Sequence, residues 1–185
     1  MTDGELAGPL RERIFAGLDA NVFAVLDGAS ATGLVRKLWE HKAAHYCLFP
    51  GELEPDMAEV APYVVELGAD TKFTRWLLSE GWGNHWGIFA VSPADLRTIR
   101  GHFRTLVEAC DEEGTPMIFR YYDPRVFRVY MPTCDGDQCE EMFGPVALYL
   151  LEDEDPHAML RYTLDGGELA TQQVPLGASA PPSGD

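Results

Sequence analysis

The sequence has few basic residues and no long hydrophobic run, and each absence excludes a class of protein. Its 185 residues include 14 Lys and Arg against 30 Asp and Glu, a formal net charge of −16. Binding to nucleic acid or to an anionic membrane surface requires clustered positive charge, so neither is expected as a partner. No apolar stretch approaches the roughly 18 residues that are needed to span a bilayer.

Signals for export and for nucleotide binding are also missing. The chain opens on Met-Thr-Asp-Gly-Glu-Leu, without a basic region before an apolar run, so we expect a cytoplasmic protein. No Gly-x-Gly-x-x-Gly follows the first predicted strand, and no Gly-x4-Gly-Lys-Ser/Thr occurs. We therefore expect no nucleotide and no other cofactor.

Metal-ligating residues are sparse. Four scattered cysteines are expected to be reduced thiols, and none belongs to a paired zinc motif: Cys47, Cys110, Cys134 and Cys139. His41 and His45 have a helical spacing, with Cys47 close by. However, the helix that carries His41 is predicted to end near Ala44, which separates the two imidazoles, so no metal site is expected.

Apolar runs alternate with amphipathic segments along most of the chain. The strand predictions are 22–26, 45–49, 61–67, 86–91, 117–122 and 146–151, with a hairpin of 158–164 and 168–174; the helix predictions are 10–18, 32–44, 71–80, 93–111, 124 to about 132, and 135–143. This alternation predicts an α/β fold with a mixed central sheet, helices packed against it and a short C-terminal hairpin. We assign residues 1–150 to the α/β domain, 151–174 to an acidic hairpin extension and 175–185 to a disordered tail.

The central feature is the stretch from Met117 to Phe127. Its first part is apolar and aromatic and is predicted to be a buried strand. Asp123 can cap a helix that starts at Pro124, because its carboxylate accepts bonds from free N–H groups and proline needs no N–H there. Arg120 and Arg125 place two positive charges beside this corner.

Charge is unevenly distributed. Arg97, Arg100 and Arg104 form the one concentrated basic stripe, on a predicted helix. After Arg128 there is a single basic residue, Arg161, against eleven acidic ones, a net charge of −10. The stripe is explained by a solvated helix face, and the acidic region by solubility or by a basic protein partner.

The candidates for catalysis are isolated. A hydrolase elbow would carry Ser or Cys at the strand-to-helix corner, where this chain has Asp123 and Pro124. His85 has no paired nucleophile in the sequence. We therefore expect a protein that is not an enzyme, and a small hydrolase that uses Asp123 or His85 is the alternative.

Several short segments, in order, resemble the DUF4123 domain family, and Arg-Tyr-Tyr-Asp-Pro-Arg-Val is the most specific of them. The matching segments are Leu26-Asp27-Gly28-Ala29, Leu48-Phe49-Pro50-Gly51-Glu52-Leu53 with Met57 and Val60, Ala61-Pro62-Tyr63-Val64-Val65-Glu66-Leu67, Trp86-Gly87-Ile88, Phe119-Arg120-Tyr121-Tyr122-Asp123-Pro124-Arg125-Val126, Pro132, and Phe143-Gly144-Pro145-Val146.

The resemblance implies an adaptor or chaperone of the bacterial type VI secretion system. Such proteins bind an effector in the cytoplasm and help to load it onto the spike protein, without an established catalytic site. Longer members carry a second, helical lobe, whereas about thirty-five residues follow Leu150 here. An immunity-type or other acidic protein-binding module is the alternative, and the oligomeric state is left open.

The partner surface is predicted near the central corner, where aromatic and arginine side chains suit interface anchors. The predicted partner-binding residues are Trp82, Trp86, Arg120, Tyr121, Tyr122, Asp123 and Arg125.

Overall fold

A computed structural model describes residues 3–16, 19–110 and 113–177. The helices of this part are α1 (Asp3–Phe15), α2 (Leu34–Glu40), α3 (Pro55–Val60), α4 (Lys72–Glu80), α5 (Leu96–Val107), α6 (Pro124–Tyr130), a 3-10 turn at Met131–Thr133, and α7 (Gly136–Phe143). The strands are β1 (Asn21–Asp27), β2 (His45–Cys47), β3 (Pro62–Leu67), β4 (Gly87–Ser92), β5 (Glu108–Cys110), β6 (Pro116–Ile118), β7 (Leu148–Glu152), β8 (Ala158–Asp165) and β9 (Glu168–Pro175). No helix of these residues is long and apolar enough to cross a membrane.

Seven strands form one sheet in the order β2-β3-β1-β4-β7-β8-β9. The strand pairs of this sheet are all antiparallel. The predicted α/β class with a C-terminal hairpin is confirmed, and the pairing is antiparallel where a mixed sheet was expected. Alternation of helices with strands does not fix strand direction, because a helix can connect antiparallel strands as well as parallel ones.

The sheet lies between two helical layers, and β1 shows why its apolar run is continuous. Val22, Ala24 and Leu26 face a core that is closed by α1, α2 and α4. Phe23 and Val25 face a second core, closed by α5, α6 and α7. Successive side chains of a strand point to opposite faces, so a strand buried on both sides is apolar at every position.

The C-terminal hairpin belongs to the main sheet. β7 pairs with β8, with Tyr149 opposite Tyr162, and β8 pairs with β9 along its whole length. Order also extends into the predicted tail, because β9 reaches Pro175 and the buried Leu176 donates its N–H to the carbonyl of His157 at 2.7 Å. The remainder of that predicted tail, residues 178–185, lies outside the described residues.

The predicted buried strand at 117–122 is not present. Only Pro116–Ile118 is extended, and it pairs with β5 in a separate two-stranded ribbon. Met117 and Ile118 are about half exposed (52% and 56%), whereas Tyr121 and Tyr122 enter the core from a turn. One apolar run therefore spans two environments, a surface ribbon and a buried turn. The periodicity of apolar residues cannot distinguish such a run from a single buried strand.

Two helix starts also differ from the predictions. No helix is predicted between the strands at 45–49 and 61–67, yet α3 begins there at Pro55. α5 starts at Leu96 with Asp95 as its cap, three residues after the predicted start. Ser92, just before that predicted start, donates its hydroxyl to the carbonyl of Pro145 at 2.6 Å and so joins β4 to the loop before β7.

Candidate functional site

Two buried carboxylates lie at the same end of the sheet, where two strands finish. β1 and β7 are both antiparallel to β4, so they run in the same direction and finish at the same end. Each ends in an acid, Asp27 and Glu152, and these side chains are almost fully buried (1% and 3% exposed). A buried charge is tolerated only when it is paired or hydrogen-bonded, so the partners of these acids define the site.

Asp27 is held by its own turn and by a distant arginine. It accepts the N–H of Ala29 at 3.1 Å and the hydroxyl of Ser30 at 2.8 Å. Its Oδ2 also pairs with the guanidinium of Arg120. The turn needs glycine at position 28, because a Cβ there would lie 2.5 Å from the carbonyl oxygen of Ala61. This packing accounts for the Asp-Gly-Ala sequence after β1.

Asp123 caps α6, as the sequence predicts. Its Oδ1 accepts the N–H of Arg125 at 2.9 Å and the Nε of the same residue at 3.0 Å, while Oδ2 accepts Nη2 at 2.7 Å. Burial opposes ionisation of this carboxyl, but the hydrogen bonds from the side chain and backbone of Arg125 and the charges of Arg125 and Arg120 outweigh it and lower the pKa of Asp123. The carboxylate is thus engaged in a cap and in a two-point ion pair.

Glu152 anchors the loop before β4. It accepts the backbone N–H of Gly83 at 2.6 Å and that of His85 at 3.1 Å, and it also contacts Nδ1 of the His85 ring. His85 adopts a positive φ of 58°, a strained conformation for a residue with a side chain. From α6, Arg128 donates to the backbone carbonyl of Glu152 at 2.7 Å and so ties this end of β7 to the corner.

The structure separates the seven predicted partner-binding residues by exposure. Tyr121, Tyr122, Asp123 and Trp82 are core residues with at most 7% of their surface exposed, so they have almost no surface to offer to a partner. Trp86 is half-buried and packs against Trp76 at a ring distance of 5.1 Å. Arg120 and Arg125 alone are substantially exposed (46% and 55% of the side chain).

The buried members have structural roles. Trp82 donates its indole N–H to the carbonyl of Pro156 at 2.9 Å. Tyr121 donates its hydroxyl to the carbonyl of Phe103 at 3.3 Å, and its ring packs 6.0 Å from that of Phe103. Burial raises the pKa of Tyr122 to about 12, so its hydroxyl is protonated at neutral pH. Tyr121 and Tyr122 therefore hold the corner from within the core on this side of the sheet.

An open apolar groove lies beside the corner. It has a volume of about 550 Å³ and is lined by Phe119, Asp123, Arg125, Val126, Val129, Tyr130 and Thr133. Val129 is 73% exposed, the most exposed large aliphatic side chain of the described residues. Phe119 and Tyr130 form the wall opposite, with their rings edge to face at 4.6 Å.

The groove could have been found from the sequence of α6. This helix buries Phe127 in the core, while Val126, Val129 and Tyr130 share a second face that lines the groove. A surface helix is normally polar on the face away from the core, so a second apolar face indicates a second contact. The positions three and four apart, 126, 129 and 130, were the available signal.

The comparisons with known proteins identify a family. The model of a domain of unknown function, DUF4123, matches residues 22–141. The chain belongs to the DUF4123 family. No curated protein and no solved structure matches the chain significantly.

The match covers β1 through most of α7. In this DUF4123 protein it therefore includes Asp27, Arg120, Asp123 and the groove, whereas Glu152 and the hairpin lie beyond it. Two of the segments that carry the resemblance meet in the structure. The Asp-Gly-Ala turn and the Arg-Tyr-Tyr-Asp-Pro-Arg corner are joined through the Asp27–Arg120 pair.

Chemistry at this DUF4123 corner is constrained by its existing bonds. The carboxylate of Asp123 is occupied by Arg125, and the described lining of the groove beside it does not include His85. Among the described residues, no group of three or more His, Cys, Asp and Glu side chains could hold a metal ion. His45, one of the residues weighed as a ligand, instead contacts the carbonyl of Ala43 through Nδ1 at 2.7 Å.

Proposed function

We propose that this DUF4123 protein is a non-enzymatic adaptor that binds a type VI secretion effector, or the spike protein that carries it, in the bacterial cytoplasm. The observation that supports this function best is the open apolar groove on α6. The type of partner is what the resemblance to secretion adaptors implies, and the groove offers a surface that can bind it.

The groove suits protein binding because it is apolar, exposed and rigid. Exposed apolar surface beside a polar rim is typical of protein interaction sites. Val129 is a highly exposed part of its lining, and aromatic side chains such as Tyr130 are common energetic anchors of interfaces. α6 is fixed beneath by Phe127 and at its start by the Asp123 cap, so little ordering is needed on binding.

The charge at the rim of the groove favours partners that carry a hydrogen-bond acceptor beside their apolar side chain. Arg125 is held at the rim by two hydrogen bonds to Asp123 and still exposes over half of its side chain. These bonds raise the pKa of Arg125, and the charges of Glu152 and Asp27 add to the shift. A partner that inserts an apolar side chain beside Val129 can therefore place a carboxylate or a carbonyl against this arginine.

Affinity purification tests the proposal. The tagged chain is expressed together with the effector and spike proteins that are encoded beside its gene, and the recovered proteins are identified. We expect recovery of one or both partners, and loss of that recovery with Val129→Glu, which puts a charge on the apolar lining of the groove. Met57→Glu is the matched control, because Met57 is also exposed (45%) but lies on α3 and does not line the groove. Recovery of neither protein contradicts the proposal.

The acidic loop after β7 supports a second candidate, an immunity-type protein. Glu154 and Asp155 are exposed there, in a C-terminal region with a net charge of −10 after Arg128. Such a surface suits a basic toxin domain. The two functions differ in the part of the effector that is bound. An adaptor retains the transport region, whereas an immunity protein retains the catalytic domain and protects cells from it.

A further inference from the structure

The arginine stripe of α5 forms no ion pair within the part of the chain that the structure describes. The ion pairs there involve other side chains, so no described carboxylate lies within 4 Å of Arg97, Arg100 or Arg104. In addition, the Nε of Arg100 is buried and has no hydrogen-bond acceptor in the described structure. Three unpaired arginines are a local exception in a chain of net charge −16.

The middle arginine of this stripe, Arg100, lies against the outer strand of the sheet. β2 is at the sheet edge and pairs only with β3 among the described strands. Leu48 donates its N–H to Pro62, and Glu66 donates to Ala44. Because alternate residues of an antiparallel strand bond to the same neighbour, the backbone N–H and C=O groups of His45 and Cys47 point away from β3.

One contact connects the stripe with the strand. The guanidinium carbon of Arg100 lies 4.7 Å from the centre of the Tyr46 ring, which is 39% exposed. Arg97 and Arg104 lie about one turn to either side of Arg100 on the same face of α5. We call β2 together with these three arginines the arginine edge.

We propose that the arginine edge binds an acidic, extended segment of a partner protein, which adds a strand to β2. An added strand hydrogen-bonds to the outward backbone groups of His45 and Cys47. Its alternate side chains then lie on the face of Tyr46 and α5, so acidic residues at every second position meet the arginines. The surface is separate from the α6 groove, and the proposal does not depend on the occupant of that groove.

Charge complementarity selects this occupant. The remainder of the surface is strongly acidic and repels an acidic segment, so the arginine edge is the place where such a segment can dock. A second copy of the chain would bring another net charge of −16, and nucleic acid would meet the same repulsion along its length. A short segment that contacts only the arginine edge avoids most of the electrostatic repulsion from the acidic surface.

Synthetic peptides test the inference on the full-length chain. The probe is a capped ten-residue peptide that alternates Glu with Val, added to isotope-labelled protein and followed by NMR. Two control peptides match it: one has Lys in place of Glu, and the other keeps the Glu residues but is N-methylated at alternate backbone nitrogens. We expect shifts at His45–Cys47 and at 97–104 for the acidic peptide only.

The protein variant is Arg97→Gln with Arg100→Gln and Arg104→Gln. It is expected to weaken binding of the acidic peptide by about tenfold, because each exposed charge pair contributes modestly. Val129→Glu is expected to leave this binding unchanged, which separates the arginine edge from the groove. The triple arginine variant is first shown to have the same stability against unfolding as the wild type.

Four results overturn the proposal: no shift at the arginine edge, equal binding of the basic peptide, equal binding of the N-methylated peptide, or equal binding by the triple variant. Equal binding of the N-methylated peptide means that charge alone attracts the segment and that no strand is added.

Discussion

The guanidinium of Arg120 pairs with the carboxylate of Asp27, a residue 93 positions earlier in the chain. Asp27 ends the central strand of the sheet, and Arg120 opens the turn that leads to α6. This pair therefore joins the middle of the sheet to the helix that carries the groove. In this account, Asp27 and Glu152 hold the corner in place, and the apolar groove on α6 contacts the partner.

The Asp27–Arg120 pair is expected to stabilise the fold. Arg120→Met leaves a buried carboxylate with only its local partners, Ala29 and Ser30. We expect a loss of roughly 1–3 kcal/mol in the free energy of unfolding, measured in urea. The double variant with Asp27→Asn should lose less than the sum of the single variants, by at least about 1 kcal/mol.

Arg97→Met is the control for this cycle, because Arg97 is exposed and forms no ion pair among the described residues; its effect is expected to stay within about 0.5 kcal/mol. Strictly additive effects of Asp27→Asn and Arg120→Met would show that the pair is not coupled in solution.

Asp123 is expected to contribute as a cap. Asp123→Ala removes the acceptor for the Arg125 N–H and both side-chain bonds to Arg125. We expect a loss of about 1 kcal/mol in urea unfolding, the usual cost of a lost cap. Asp123→Asn keeps an oxygen for the cap and should lose less. A folded Asp123→Ala variant of unchanged stability that no longer binds its partner would instead indicate a direct role.

The contribution of Asp123 should also depend on pH. Its pKa is lower in the folded protein than in an unfolded chain. The unfolded state therefore takes up a proton first as the pH falls, so the stabilisation is fully present above about pH 4 and is lost as the pH falls through the folded-state pKa. The stability difference between the wild type and Asp123→Asn should shrink below about pH 4. A difference that is constant down to pH 2 would show that ionisation is not involved.

Two glycines should respond in opposite directions to alanine. At Gly87, which starts β4, an added Cβ would overlap the carbonyl oxygen of Val25 on the adjacent strand. Gly87→Ala is therefore expected to cost more than about 2 kcal/mol, because the central strand cannot move away. Gly101 lies inside α5 with nothing within 4 Å of an added Cβ, so Gly101→Ala should stabilise by about 0.5–1 kcal/mol. Thermal unfolding ranks the two variants, and a stable Gly87→Ala protein would contradict the register of β1 and β4.

The parts of the fold that depend on local sequence could be predicted. The apolar run from Val22 to Leu26 forms the central strand, and the Asp123-Pro124 pair starts α6. The hairpin closes around Gly166 and Gly167, which both have a positive φ. In each case neighbouring residues determine the conformation, through burial on both faces, a side-chain cap or a glycine turn.

The candidate site depends on contacts between distant residues, and these could not be read from the sequence. Aromatic composition did not distinguish the buried Tyr121 from the half-buried Tyr130 that lines the groove, because exposure depends on which elements pack against each residue. The Asp27–Arg120 pair likewise depends on a tertiary contact between the end of β1 and the turn before α6. The seven predicted anchors therefore included four core residues.

The central claim is that the α6 groove binds the partner, and calorimetric titration of the purified effector or spike protein into three forms of the chain tests it most directly. Val129 is 73% exposed, so Val129→Glu should fold like the wild type. We expect it to weaken binding by at least about thirtyfold, as for the loss of an interface hot spot, while Met57→Glu binds as the wild type does. Wild-type affinity of a folded Val129→Glu protein would contradict the claim.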